Sequence, residues 1–414
     1  MSPSRKPVEK PLRRIASTLV RITARICGVQ QETSEQLRSI PCPKRILVIS
    51  PAHLGDTLLV GSLIPILQSA YPGVEIGFAV GSWCKALVRD MPGVAFLHVI
   101  DHWWLNRGSH SRLRKLLLYF STRLVALREV RRLHYDICLC PYPFYAADMV
   151  FFAWRAGIAH RIVFSRSIFA PFATAVAEIP ESPFVHQARA YAEILQPLGI
   201  AEEHIRKRKT ALASRVPESD REVCELLGVP DLTQTSYFIV HIGSGNPCKE
   251  LPPEFWRTVA SDLSSASTVL FTGTGNREQQ LIAEVIRGLD NCVNACGKLS
   301  WGGFVAAVRG CRILFGVDTM AGHVAAAVGT RCIVVYSGIG GVAQWRPDSD
   351  NCIVLTHHVP CAPCHLPRGC AEMSCLRTVT PADVLLAKTY FPDNPSSQDR
   401  EQSTKVLLHV HEAC

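Results

Sequence analysis

The chain has 414 residues, 48% apolar and 19% charged, with a formal net charge of +9. That length exceeds one ordinary core and predicts two or three domains; the composition excludes a disordered chain. No uninterrupted apolar run reaches the ~18 residues of a transmembrane helix. The basic N-terminus lacks the apolar core of a secretory signal. The 17 cysteines are an odd number scattered through apolar runs. Buried free thiols in a reducing, cytoplasmic compartment are therefore expected.

Residues 1–40 hold eight Lys/Arg against three Glu, a basic arm that suits an anionic partner. No base-reading motif accompanies the charge, so nucleic acid is not an expected partner. Within the arm, Leu12, Ile15, Leu19, Ile22 and Ile26 recur at spacings of 3, 4, 3 and 4. That spacing predicts an amphipathic helix with Arg13, Arg14, Arg21 and Arg25 off the apolar stripe and Gly28 as its stop. Two readings stand. The helix lies on an anionic membrane surface, making the protein peripheral, or it packs on the protein's own body.

From residue 44 the pattern changes. Residues 45–50 are a short apolar run, as in a strand buried on both faces. A helix is predicted over 56–70, stopped by Tyr71-Pro72-Gly73. Strands are predicted over 74–80 and 94–100, a basic helix over 112–132, and a strand over 136–140. The alternation restarts with strands over 237–242, 268–272, 312–316 and 332–336. Residues 201–235 are rich in charge and suit a linker plus a helix. Alternating strands and helices imply parallel sheets. The expected fold class is α/β, with two Rossmann-like parallel-sheet domains facing a central cleft. The boundaries are a basic arm at 1–40, a first domain at 41–205, a linker at 206–235, a second domain at 236–395 and a tail at 396–414. The tail is expected as a helix returning to the first domain.

Four turns carry the chemistry. Ser50-Pro51-Ala52-His53-Leu54-Gly55-Asp56 follows the first strand. Asp56 reads either as a first-turn carboxylate satisfying backbone donors or as a general base for a hydroxyl. His241-Ile242-Gly243-Ser244-Gly245 leads through Asn246, Pro247 and Cys248 to Lys249. Such turns offer N–H groups to phosphate, and a lysine adds a point charge; alone the glycine pair is weak evidence. Gly273 and Gly275 repeat the theme, and Glu278 follows either to accept from ribose hydroxyls or to stabilise a helix start. Asp318, Thr319, Met320, Ala321, Gly322 and His323 precede a small-residue helix ended by Gly329. That helix start is a ready diphosphate site. His323 either donates to phosphate or packs as a buried histidine.

These turns, in this order, resemble glycosyltransferase family 9, the ADP-heptose:lipopolysaccharide heptosyltransferase family. The resemblance rests on Leu54-Gly55-Asp56, on His241, Gly243, Gly245 and Lys249, and on Asp318, Thr319, His323 and Gly329-Thr330. His186 to Ile200 also resembles the family's approach between domains. The likeness spans roughly residues 44–390. It implies a GT-B architecture and inverting, metal-independent transfer that requires no cofactor. Asp56 is implied as the base, with His53 and Gly55 in the acceptor-side loop. Gly243, Ser244, Lys249, Glu278 and residues 318–323 are implied at the nucleotide-diphosphate sugar. The implied partners are an ADP-heptose-like donor and a glycolipid or lipopolysaccharide-core acceptor. Three departures bear on donor identity. Met320 replaces a glycine, and its side chain must either crowd the diphosphate or demand a different backbone angle. Leu251 stands in place of a tryptophan, and Pro51 and His53 in place of small hydroxyl residues. Two other readings remain: a nucleotide-sugar epimerase or hydrolase of the same architecture, and a non-catalytic nucleotide-sugar-binding protein.

Cys361, Cys364, Cys370 and Cys375 lie within 15 residues. They read as a structural zinc site, as free thiols, or as redox pairs. No His/carboxylate constellation accompanies them, so a catalytic metal is not expected.

Overall fold

A computed structural model describes residues 11–391, except 41, 90, 107, 109, 142–147, 166, 181, 183, 209, 211, 213–216 and 233–234, and also residues 407–409. Residues 1–10 of the arm, parts of the 206–235 segment and most of the 396–414 tail lie outside the described residues. Contacts divide the chain into two compact units. The first is Met1–Glu181 with Ala188–Thr210; the second is Ser182–Gln187 with Ala211–Cys414.

The first unit opens with α1 (Pro11–Ile26). It buries Ala24, at 3% exposure, and packs against the turn Ala170–Phe172. Its apolar stripe does the opposite: Ile15, Leu19, Ile22 and Ile26 are 50–80% exposed. The helix thus packs on the protein's own body, but not through its apolar stripe. The small-residue side makes the tertiary contact instead.

Strand β1 (Arg45–Ile49) is buried along nearly all its length. The helix predicted over 56–70 is two helices, α2 (Leu54–Val60) and α3 (Leu63–Ala70). The break falls at Gly61, where a Cβ would come within 2.8 Å of the Met91 sulfur. Met91 packs into the space that a larger residue at 61 would take. Then follow β2 (Glu75–Val80), β3 (Val94–Val99), α4 (Arg112–Leu133), β4 (Ile137–Cys140), α5 (Met149–Arg155), β5 (His160–Phe164) and β6 (Ala175–Ala177). The sheet order is β3-β2-β1-β4-β5-β6, with every pair parallel.

The second unit repeats that plan. Helix α6 (Pro217–Leu227) lies in the segment read as linker, and precedes β7 (Tyr237–His241), α7 (Pro253–Ala266), β8 (Thr268–Phe271), α8 (Gly275–Val285), β9 (Cys292–Asn294), α9 (Trp301–Gly310), β10 (Leu314–Val317), α10 (Met320–Val328), β11 (Cys332–Val335) and β12 (Cys352–Thr356). Helix α6 packs against α9. Where a returning helix was expected in the tail, Leu407–His409 form β13, a parallel edge strand on β12. The sheet order is β13-β12-β11-β10-β7-β8-β9. Phe238, Phe315, Phe271 and Trp256 fill the core between this sheet and its helices.

In both sheets the first strand is flanked by the second on one side and the fourth on the other. Chain direction across the sheet reverses at that point, so the loops beyond the strand ends part and leave a crevice. In the second unit the crevice lies beyond β7 and β10. The Gly-rich turn and residues 318–323 leave from those two strands.

Candidate functional site

In the second unit Thr319 is the N-cap of α10, and its side chain accepts from the Ala321 N–H. Gly329 closes the helix in the left-handed region at φ 80°. Small residues let this helix press on the sheet: a Cβ at Gly322 would lie 3.2 Å from Val334 and 3.1 Å from Pro347. Met320 is the first helical residue, and its φ lies outside the positive region. A methionine therefore needs no special backbone angle there. Of the two consequences expected of it, only crowding of a ligand stands.

Lys249 Nζ donates to Asp318 Oδ2 at 2.6 Å, with the Asp318 side chain only 10% exposed. The pair joins the turn after β7 to the loop after β10. His323 is buried one helical turn further on, and its Nδ1 has no hydrogen-bond partner among the described residues. Burial, with the charges of His186 and Lys249, pushes the His323 pKa down to about 4. His186 Nε2 lies 2.9 Å from the Arg346 carbonyl, to which it donates. His241, at the end of β7, is held by Thr272 Oγ1 at 2.9 Å, and burial lowers its pKa to about 4.

Around this centre runs a network that sequence reasoning missed. Glu250 accepts the Ser244 N–H at 2.6 Å and both terminal nitrogens of Arg277 at 2.6 Å. A bidentate pair of this kind fixes geometry as well as charge. The Ser244 N–H is thus committed to shaping the turn. Glu278 accepts from the Thr274 N–H at 2.8 Å, and burial raises its pKa above the ordinary carboxylate value. Gly243 leaves room for the Glu278 carboxyl, which a Cβ there would meet. The adjacency of Lys249 to Glu250, and of Arg277 to Glu278, was the only signal in the sequence for this arrangement. A cavity of about 900 Å³ borders the Glu250–Arg277 pair, but Lys249, Asp318, Thr319 and His323 do not line it.

The two buried histidines make a pH prediction. Folded, both rings stay neutral down to about pH 4; unfolded, they take up a proton near 6.5. Their neutral burial therefore stabilises the fold fully above about 6.5, and that contribution drains away as pH falls toward about 4. The thermal midpoint is expected to fall over this window, and to fall less in His323→Asn. Matching pH profiles for the two proteins would acquit His323.

The structure lends no support to the zinc reading of Cys361, Cys364, Cys370 and Cys375. Among the described residues no three His, Cys, Asp or Glu side chains converge as a metal site. Cys375 is buried beneath Gly338, Cys370 Sγ accepts the Met373 N–H at 3.3 Å, and Cys361 is exposed. All described cysteines are free thiols. The loop works as a strap instead. Pro367 O accepts from Asn246 Nδ2 at 3.0 Å and Arg368 O from Cys248 Sγ at 2.8 Å, tying the loop to the Gly-rich turn.

In the first unit Asp56 sits in the first turn of α2, whose N-cap His53 makes no side-chain capping bond. Gly55 lies inside the same helix turn. Tyr191, fully buried, donates to Asp56 Oδ1 at 2.9 Å. Beneath the loop, Ala52 O accepts from Trp83 Nε1 at 2.8 Å.

The sequence model of glycosyltransferase family 9 (heptosyltransferase) matches residues 126–372. The chain belongs to this family. Lys249, Glu278, Asp318, Thr319 and His323 all fall inside the matched stretch; Asp56 falls before it. Lipopolysaccharide heptosyltransferase 2 of Escherichia coli (strain K12) is 34% identical over 120 residues, 28% of this chain and 30% of that protein. The curated relatives are thus matched over less than a third of their own length. Among solved structures, a glycosyl transferase family 9 protein from Veillonella parvula is 23% identical with a TM-score of 0.62, covering 75% of this chain and 85% of that one. E. coli ADP-heptose lps heptosyltransferase II reaches a TM-score of 0.67 at 18% identity, covering 84% and 98%. At such identity these structures speak for the fold, which is that of GT-B heptosyltransferases.

Proposed function

We propose that this family 9 member is an inverting, metal-independent glycosyltransferase. It moves heptose or a related sugar from a nucleotide-diphosphate sugar to a lipopolysaccharide-core or other cell-envelope glycan. The observation that carries the reading is the Lys249–Asp318 pair set at the switch point of the second sheet, beside the Thr319-capped start of α10 and buried His323. A departing diphosphate would meet the lysine and the free N–H groups of a helix start there, which stabilise developing charge without a metal. Glu278, held against Gly243, is the group for the ribose hydroxyls. In the first unit Asp56 takes the proton from the acceptor hydroxyl, whose oxygen then attacks the anomeric carbon from the face opposite the leaving diphosphate. The relatives' names make ADP-heptose the first donor to try. The exposed stripe of α1 and its arginines suit the anionic inner face of a membrane, where a glycolipid acceptor would be met.

A thermal-shift panel of ADP-, GDP-, UDP- and dTDP-sugars tests the donor, because a ligand that binds only the folded state raises the midpoint. One nucleotide is expected to stand out, and its sugar to be transferred only when a glycan acceptor is present. Sugar release or epimerisation without acceptor, or no shift with any donor, would sink the proposal.

A further inference from the structure

From the exposed face of α4 we infer a second membrane-docking surface, one that inserts into the interface of an anionic bilayer. It extends the membrane reading of α1 given above to a different element. Along α4, Leu113, Leu116, Leu117, Phe120 and Leu124 are 44–68% exposed. Their spacings of 3, 1, 3 and 4 put them on one stripe about 100° wide. The helix packs on β3, burying Ala126 and Val130 away from the stripe and Leu127 in line with it, so the outward stripe ends at Leu124. A surface helix normally turns its apolar stripe inward, and here the longest helix of the unit turns it out.

Three further features identify the occupant. The helix carries seven Lys/Arg against one Glu, and that Glu129 is taken by His98 Nδ1 at 2.8 Å. Arg114, Arg128, Arg131 and Arg132 are exposed, so the rim of the stripe is positive and complements anionic headgroups. Beside the helix, Trp103 and Trp104 are 50% and 64% exposed with rings 5.6 Å apart. Tryptophan prefers the depth where hydrocarbon meets water. The pair is fixed to α4 through the His102 ring, 6.0 Å from Tyr119, and through the Asp101 N–H, which donates to Thr122 Oγ1 at 2.9 Å. Finally, α4 and α1 are linked through one structure. Arg131 donates to the Arg155 carbonyl at the end of α5, and Trp154 of α5 lines the cavity that also holds Cys27 and Gly28 after α1. Positive charge and interfacial aromatics around an outward apolar stripe fit a bilayer better than a second copy of this chain, whose own charge is also positive.

Co-sedimentation of the full chain with phosphatidylcholine vesicles and with phosphatidylcholine–phosphatidylglycerol vesicles tests the inference. Binding is expected to the mixed vesicles, weaker at raised salt, with a blue shift of tryptophan emission that Trp103→Phe/Trp104→Phe removes. Leu117→Glu/Phe120→Glu is expected to cut partitioning about tenfold or more, since each side chain leaves the apolar phase. Both residues are exposed, so the melting midpoint and donor affinity should not move; if that variant does not fold, Leu113→Glu/Leu116→Glu takes its place. A separate Leu19→Glu/Ile22→Glu protein reports on α1 alone, keeping its failure apart from that of α4. Partitioning of the α4 variant equal to the parent overturns the inference. So does a parent that is dimeric in sedimentation velocity while the α4 variant is monomeric, because a second copy then covers the stripe.

Discussion

Asp56→Asn is expected to lower turnover by about 10²- to 10⁴-fold, the range that a positioned general base contributes, with donor affinity unchanged. Asparagine keeps the size of the side chain and still accepts from Tyr191 Oη, which now lies 2.9 Å from Asp56 Oδ1. What it cannot do is hold a proton. Donor affinity should stay because the nucleotide is proposed to bind the second unit, whereas Asp56 belongs to the first. Tyr191→Phe separates direction from basicity. It leaves the carboxylate in place and removes one hydrogen bond, so a smaller loss of about tenfold is expected. Near-normal turnover in Asp56→Asn would return Asp56 to the reading in which it only supports the first turn of α2.

Lys249→Ala is the second large effect. A charge-assisted hydrogen bond contributes roughly 1.5–3 kcal/mol, so binding of the donor diphosphate is expected to weaken about tenfold to a hundredfold. A single substitution leaves an ambiguity, because Asp318 is almost buried and pairs with Lys249 at 2.6 Å. Removing the lysine uncovers a carboxylate that would repel a diphosphate by itself. The double variant Lys249→Ala/Asp318→Asn removes that charge as well. If lysine contacts phosphate, the double variant stays weak. If its only task is to neutralise Asp318, the double variant recovers, and the phosphate role fails. Titration calorimetry with the nucleotide diphosphate reads both cases.

The α/β class and most central strands were legible because strands such as β1, β7 and β11 are buried on both faces and read as unbroken apolar runs. Short edge strands such as β6 and β9 were not, since three residues carry no periodicity. The split between α2 and α3 was hidden because Gly61 and Ser62 keep near-helical backbone angles, so no strong breaker marks it in the sequence. In the second unit the turns were visible through their glycines, yet their reason was not. Gly243 was read as part of a phosphate-facing turn; that a Cβ there would also meet the Glu278 carboxyl could not be read from the sequence. The strap role of the 361–375 loop was equally invisible. Four cysteines in fifteen residues draw attention to sulfur, whereas the contacts that anchor the loop include the carbonyls of Pro367 and Arg368.

The close fit of Gly243 and Glu278 bears on how this site can drift over generations. A side chain added at 243 would meet the Glu278 carboxyl, which would have to swing aside to make room. The two positions, 35 residues apart in the chain, are therefore coupled: a larger residue at 243 is easiest to admit where residue 278 is shorter or turned away.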